Sequence, residues 1–162
     1  MIMDAKVTLP SDTEIVITRT FDAPREVVFA VWTTPEYVRR WWTSPDAPLI
    51  VCEIDLRVGG RWRYVSRNAA GVELGWYGSY LEIDPPRRLV STEGFEGGSG
   101  AEAITELVLT ENDARTTMII TVRCPTREHR DDLISSGTEV GLNRSLRRID
   151  ALLQPTPTKE YS

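Results

Sequence analysis

Few side chains in this chain have the type and spacing for covalent or acid–base chemistry. His129 is the only histidine, and it sits in the charged run EHRDD at residues 128–132. An imidazole acting as general base needs a positioned partner, and none stands at recognisable spacing. Cys124 lies five residues earlier, but two ligands do not make a zinc site. A solvated histidine is the plainer reading, and neither a metal nor a cofactor is expected. GFEGGSG (94–100) is glycine-rich like a phosphate cradle, yet it lacks the Lys-Ser/Thr of a P-loop and no helix follows. It reads as a loop at the mouth of a pocket. No GxSxG nucleophile elbow occurs.

What the chain does carry is rings on strands. Trp32, Trp41, Trp42, Trp62, Tyr64, Trp76, Tyr80 and Phe95 can line a pocket or fill a dry core. Leu107, Met118, Ile120 and Leu142 are the aliphatic candidates beside them. Arg61, Arg63 and Glu106 are candidate polar groups of such a pocket, against the simpler alternative that they face water. The hydroxyls of Tyr64 and Tyr80 can supply the few polar contacts an apolar site needs.

The elements that hold these residues follow from periodicity. Glu14–Phe21 alternates, with Ile15, Ile17, Arg19 and Phe21 on one face. Asp22-Ala23-Pro24 stops it, and two short proline-started helices reach Trp41 and Trp42. Two adjacent tryptophans are expected to face different ways, at least one covering an opening or a neighbouring strand. From residue 49 the period falls to two. Strands are expected over 49–54, 61–66, 72–83, 87–93, 103–110 and 116–123, with Trp62 and Tyr64 on one face and Arg61 and Arg63 on the other. Gly75 and Gly78 suit a bulge or strong curvature. A long helix is expected from about Thr126, with Ile134, Leu142, Leu146, Ile149, Leu152 and Leu153 on its apolar side.

Bulk properties narrow the partners. A chain of 162 residues favours one domain, placed here at 13–153, with flexible termini at 1–12 and 154–162. The net charge of −5 argues against nucleic acid, which needs a basic face. No apolar run approaches the roughly 20 residues that span a bilayer. MIMDAKVTLPSDTE lacks the plan of a signal peptide, and Cys52 and Cys124 form no CxxC, so a cytoplasmic location with reduced thiols is expected.

Four passages in order, FDAPREVVFAVWTTPEYVRRWW (21–42), VGGRWRY (58–64), GSYLEIDPPRRLV (78–90) and EVGLNRSLRRIDALL (139–153), carry a family resemblance. The chain resembles the START-like, or SRPBCC, superfamily. Within it the match is to the family related to the activator of the 90-kDa heat-shock-protein ATPase (AHSA-type). The resemblance implies an α+β helix-grip fold: a curved antiparallel sheet of about six to seven strands around a long C-terminal helix. It also implies a hydrophobic cavity between the two. The expected function is binding of a small apolar, aromatic or lipid-like molecule, without evident catalysis. One alternative is a co-chaperone-like module acting on a heat-shock ATPase in the stress response, which predicts an exposed patch near Trp41 and Trp42. Eukaryotic activators join such a domain to another, and this length leaves no room for it. A further alternative is a cyclase- or hydrolase-like enzyme using Tyr64, Glu106 or a pocket arginine. Leu142 stands where the family often has tryptophan, which frees space on the apolar face.

Overall fold

The computed structural model describes residues 4–154. Among them, strands β1 (Lys6–Thr8) and β2 (Glu14–Phe21) precede helices α1 (Arg25–Thr33) and α2 (Pro35–Trp41). Strands β3 (Leu49–Ile54), β4 (Arg61–Arg67), β5 (Glu73–Asp84), β6 (Arg88–Phe95), β7 (Ala103–Asn112) and β8 (Arg115–Arg123) follow. Helices α3 (Arg127–Ser135) and α4 (Thr138–Leu153) end the described chain. The strands form one sheet in the order β1-β2-β8-β7-β6-β5-β4-β3, and every neighbouring pair is antiparallel. From β3 to β8 each strand folds back on the one before. The β7–β8 turn is the tightest of these: Asp113 and Ala114 both take positive φ, 52° and 62°, as a two-residue hairpin of that twist requires. Helices α1 and α2 carry the chain from β2 to the opposite edge at β3.

One face of the sheet is concave and apolar, and α4 lies on it. The register divides that face into rows. Arg19, Met118 and Leu109 form one row across β2, β8 and β7. Ile17, Ile120, Leu107 and Leu89 form the next, across β2, β8, β7 and β6. On α4, Leu146 is 1% exposed and Ile149 0%. Both join Phe21, Leu109 and Met118 in the solid part of the core.

Several expectations are corrected. The sheet has eight strands rather than six to seven. The extra one is β1, in a segment read as a loose leader: Lys6, Val7 and Thr8 pair with Thr18, Ile17 and Val16. The edge of β2 is a ready template, and three residues suffice to cover it. The long helix is two. Gly137 takes φ +83°, a left-handed turn that ends α3 and starts α4, and that an L residue adopts only with strain. The expected tail at Pro155 and Pro157 and the first three residues lie outside the described residues.

A single ion pair fastens α4 to the sheet. Arg19 points inward with its apolar neighbours, and its Nη1 donates to Asp150 Oδ1 at 2.9 Å; its Nη2 donates to Oδ2. Arg19 is 5% exposed and also donates to Thr20 O at 3.2 Å, so loss of Asp150 removes the carboxylate that offsets a buried guanidinium charge. Asp150→Ala is expected to lower unfolding free energy by about 2–4 kcal/mol, read by urea denaturation. Arg19→Met with Asp150→Leu should cost much less, because no unpaired charge remains. Equal losses in the two variants would remove the ion pair as the fastening.

Candidate functional site

Beyond the row at Ile17 and Ile120, the concave face and α4 separate and leave a half-open cavity of about 570 Å³. That volume lies within the range of small-molecule sites, roughly 300–1,000 Å³. Strands β4 and β5 supply Trp62, Tyr64, Trp76 and Tyr80, the α1–α2 crossover supplies Trp32, Trp41 and Trp42, and α4 supplies Gly141, Leu142, Arg144, Ser145 and Arg148. Leu107 and Ile120 close the end next to the solid core.

The rings form one connected wall centred on Trp42. Its ring centroid lies 4.9 Å from Tyr64, 5.8 Å from Trp76, 6.0 Å from Trp62 and 5.5 Å from Trp41. Tilted and edge-on packing at these separations is favourable beyond the area it buries. Two local features set the wall. Gly78 lets Trp62 lie against β5, since a Cβ there would fall 2.4 Å from the indole Nε1 and 1.9 Å from the Thr92 carbonyl oxygen. The carbonyls that end α2 are tied to α4: Arg148 Nε donates to Trp41 O at 3.1 Å, and Ser145 Oγ to Trp42 O at 3.5 Å.

Both adjacent tryptophans contribute to the cavity lining, but they diverge: Trp41 packs on Trp32 of α1, while Trp42 lies over Trp62, Tyr64 and Trp76 of β4 and β5. Successive residues at a helix end are only about 100° apart, and the wall is broad enough for both. Trp41 is buried, and its Nε1 donates to Val31 O at 2.8 Å. Trp42 is half-buried, so the surface patch expected at Trp41 and Trp42 is reduced to part of that one ring.

The remaining candidates fall as follows. Trp32, Leu107, Ile120 and Leu142 line the cavity. Phe95 stands at its rim, 5.9 Å from the Trp76 ring and 43% exposed. Met118 is not on the wall; it is wholly buried in the solid core beside Leu109. Arg61, Arg63 and Glu106 lie on the opposite, convex face. Arg63 Nη2 donates to Glu96 Oε2 at 3.2 Å, and that hydrogen bond holds the Glu96 carboxyl below its ordinary value. Glu106 lies between Arg88 and Arg123. Strand alternation already separates these residues from Trp62, Tyr64 and Leu107. His129 is half-buried rather than solvated. Its Nδ1 has no hydrogen-bond partner among the described residues; its backbone N–H donates to Thr126 Oγ1, the cap of α3. No group of three potential metal ligands occurs among the described residues.

The residue that sequence reasoning missed is Glu93. It lines the cavity from β6. Burial raises its carboxyl from 4.5 to about 7, because an ionised carboxylate loses most of its hydration there. The Tyr64 and Tyr80 hydroxyls are raised as well, mainly by burial, so both stay neutral near pH 7. In the sequence Glu93 is in phase with Leu89 and Ser91, but the adjacent apolar pair Leu89-Val90 leaves the inward phase of the strand open.

With this geometry in hand, comparison is informative. Residues 22–154 match the profile of the family described as activator of Hsp90 ATPase homolog 1-like protein. The chain belongs to this family. Its fold is shared by a protein from Rhodobacter sphaeroides, at 25% identity over 93% of this chain and 98% of that one, with a TM-score of 0.88. Protein Ms6760 from Mycobacterium smegmatis is likewise 25% identical, over 95% of this chain and 98% of that one, with a TM-score of 0.83. An AHSA1 protein from Silicibacter pomeroyi shares the fold at 24% identity, over 86% and 96% of the two chains, with a TM-score of 0.71. No curated protein matches the chain significantly. The α+β helix-grip architecture expected from the sequence is thus the architecture of the family.

The position of Glu93 makes stability depend on pH. Between pH 4.5 and about 7 the folded chain holds this proton and the unfolded chain does not. Stability therefore falls as pH rises through that window, by on the order of 2–3 kcal/mol, and levels off above it. Arg144 and Arg148 of α4 face the same cavity. Glu93→Gln is expected to remove most of this slope, measured as urea unfolding free energy at pH 5 and pH 8. An unchanged slope would mean that the carboxyl is hydrated.

Proposed function

We propose that this chain binds a small apolar or aromatic molecule in the cavity between the sheet and α4. The observation that carries the reading is the wall itself. Five tryptophans, Trp32, Trp41, Trp42, Trp62 and Trp76, pack against one another in one connected wall and still leave beside them a half-open cavity of about 570 Å³. A dry core of interdigitating rings would leave few voids larger than a water molecule. Large rigid rings with a few polar groups among them make a site for hydrocarbon surface. Residues 13–153 act as a single START-like unit in this reading, with β1 added to its edge.

Two buried thiols, Cys52 and Cys124, are unbonded, which accords with a cytoplasmic setting. Among the described residues no helix is long and apolar enough to cross a membrane. The family's name also brings a heat-shock chaperone into view as a partner, but of the patch expected for it Trp41 is buried and Trp42 only partly exposed.

Native mass spectrometry of freshly purified protein, followed by denaturing extraction, tests the reading. A discrete bound mass released on unfolding is the expected result. For any ligand so identified, Trp62→Ala should weaken binding about tenfold or more by opening the wall. Leu142→Trp should weaken it by filling the cavity from α4. Unchanged affinity in both variants would place the ligand elsewhere.

A further inference from the structure

The cavity wall is not uniformly apolar, and its polar atoms are grouped by register. Tyr80 on β5 pairs with Ser91 on β6, and Ser91 pairs with Thr105 on β7. These three residues cross the concave face in one row, and all three line the cavity. Glu93 stands two residues along β6 from Ser91, on the same face. The register that pairs Tyr77 with Gly94 and Tyr80 with Ser91 sets Glu93 opposite Gly78. No side chain on β5 therefore stands across from the carboxyl.

Two of these groups lack protein partners. Thr105 Oγ1 is buried and makes no hydrogen bond among the described residues. The Glu93 carboxyl has no hydrogen bond or ion pair there either, and burial alone raises its proton affinity, with no cation contributing. Arg144 and Arg148 line the same cavity from α4, but neither pairs with it. A protein that needed only a hydrocarbon container would carry leucine at both positions. An unpartnered carboxyl and hydroxyl on an apolar wall cost stability, and a bound molecule that donates a hydrogen bond removes the cost.

We propose that the ligand of this cavity is an aromatic or alicyclic molecule bearing a hydroxyl or amine donor, held by Glu93 and Thr105 while the tryptophan wall holds its hydrocarbon body. This rests on the cavity being the binding site, and it adds the chemistry that selects among apolar molecules. The warrant is the asymmetry of hydrogen-bonding sites. Such a site rejects an analogue lacking the matching group far more strongly than an apolar pocket rejects a changed methylene, because its own buried polar groups stay unpaired. A hydroxyl serves Glu93 in either protonation state, and a protonated amine supplies the counter-charge that no protein group provides.

Three probes with one biphenyl body separate the terms: para-phenylphenol, para-phenylbenzylamine and para-methoxybiphenyl, the last an acceptor only. Affinities are measured by equilibrium dialysis at pH 8.5, where the Glu93 carboxyl is ionised and can only accept, against the wild type, Glu93→Leu, Thr105→Val and Leu142→Trp. The phenol or the amine is expected to bind at least tenfold more tightly than the ether to the wild type. That advantage should largely vanish in Glu93→Leu and shrink severalfold in Thr105→Val, with the ether little changed. Glu93→Gln, which keeps an acceptor, should retain part of it, and it guards against a folding defect in the leucine variant. Equal binding of all three to the wild type overturns the inference, as does a donor advantage that survives both Glu93→Leu and Thr105→Val. In those cases, weakening of every probe by Leu142→Trp leaves the cavity itself in place. If no probe binds the wild type, or Leu142→Trp weakens none, the cavity reading falls and this one with it.

Discussion

The buried pair between Arg19 and Asp150 sets where α4 meets the sheet, and the rest of the molecule is arranged around that choice. An arginine on the inner face of β2 cannot be left uncompensated. Its partner must come from the one element laid across that face, so the C-terminal half of α4 is held at the row of Arg19, Met118 and Leu109. Leu146 and Ile149 are pressed into solid core by the same constraint. About one turn back from Leu146, Leu142 and Gly141 are over wider ground, where β4 and β5 carry rings too large to let the helix settle. The cavity is what remains between a helix anchored at one end and a sheet with its largest side chains at the other.

Those rings support one another. Trp42 touches Tyr64, Trp62, Trp76 and Trp41, so its position is fixed from several sides. Gly78 leaves the space against β5 that the Trp62 indole occupies. Hydrogen bonds from Arg148 and Ser145 to the last carbonyls of α2 tie the roof to the wall. A wall braced in this way keeps its shape without a solid filling, which is the property a largely pre-formed site requires.

Much of this was legible in the sequence. Strand alternation gave Trp62, Tyr64, Trp76 and Tyr80 a common face, and the same alternation already set Arg61, Arg63 and Glu106 opposite them. Treating those charges as pocket groups gave chemistry priority over geometry. What could not be read locally depends on distance along the face. Met118 and Ile120 have the same phase, yet one lies in solid core and the other on the wall, because they fall on either side of the row where helix and sheet part. The helix break at Gly137 is a single dihedral, which an apolar pattern running past it does not reveal. Glu93 was hidden for another reason. Leu89 and Val90 are adjacent and both buried, so the apolar residues of β6 do not say which phase points inward. Only the pairing with β5 and β7 decides it.

The row that holds Glu93 sets folding against recognition. Local propensity, alternation and packing agree over most of this chain, as they must for a sequence to select one fold. Glu93 and Thr105 break that agreement at the one place where the sheet is not covered by its own helix. A buried carboxyl raised to about 7 is half-ionised near neutrality, so it can accept from a hydroxyl or neutralise a cation with little change in its own state. The tryptophans around it lower the local polarity and thereby strengthen whichever contact forms. Rings and carboxyl thus act as one device: the wall makes the unpaired group costly in the free protein, and the same cost is what a fitting molecule relieves.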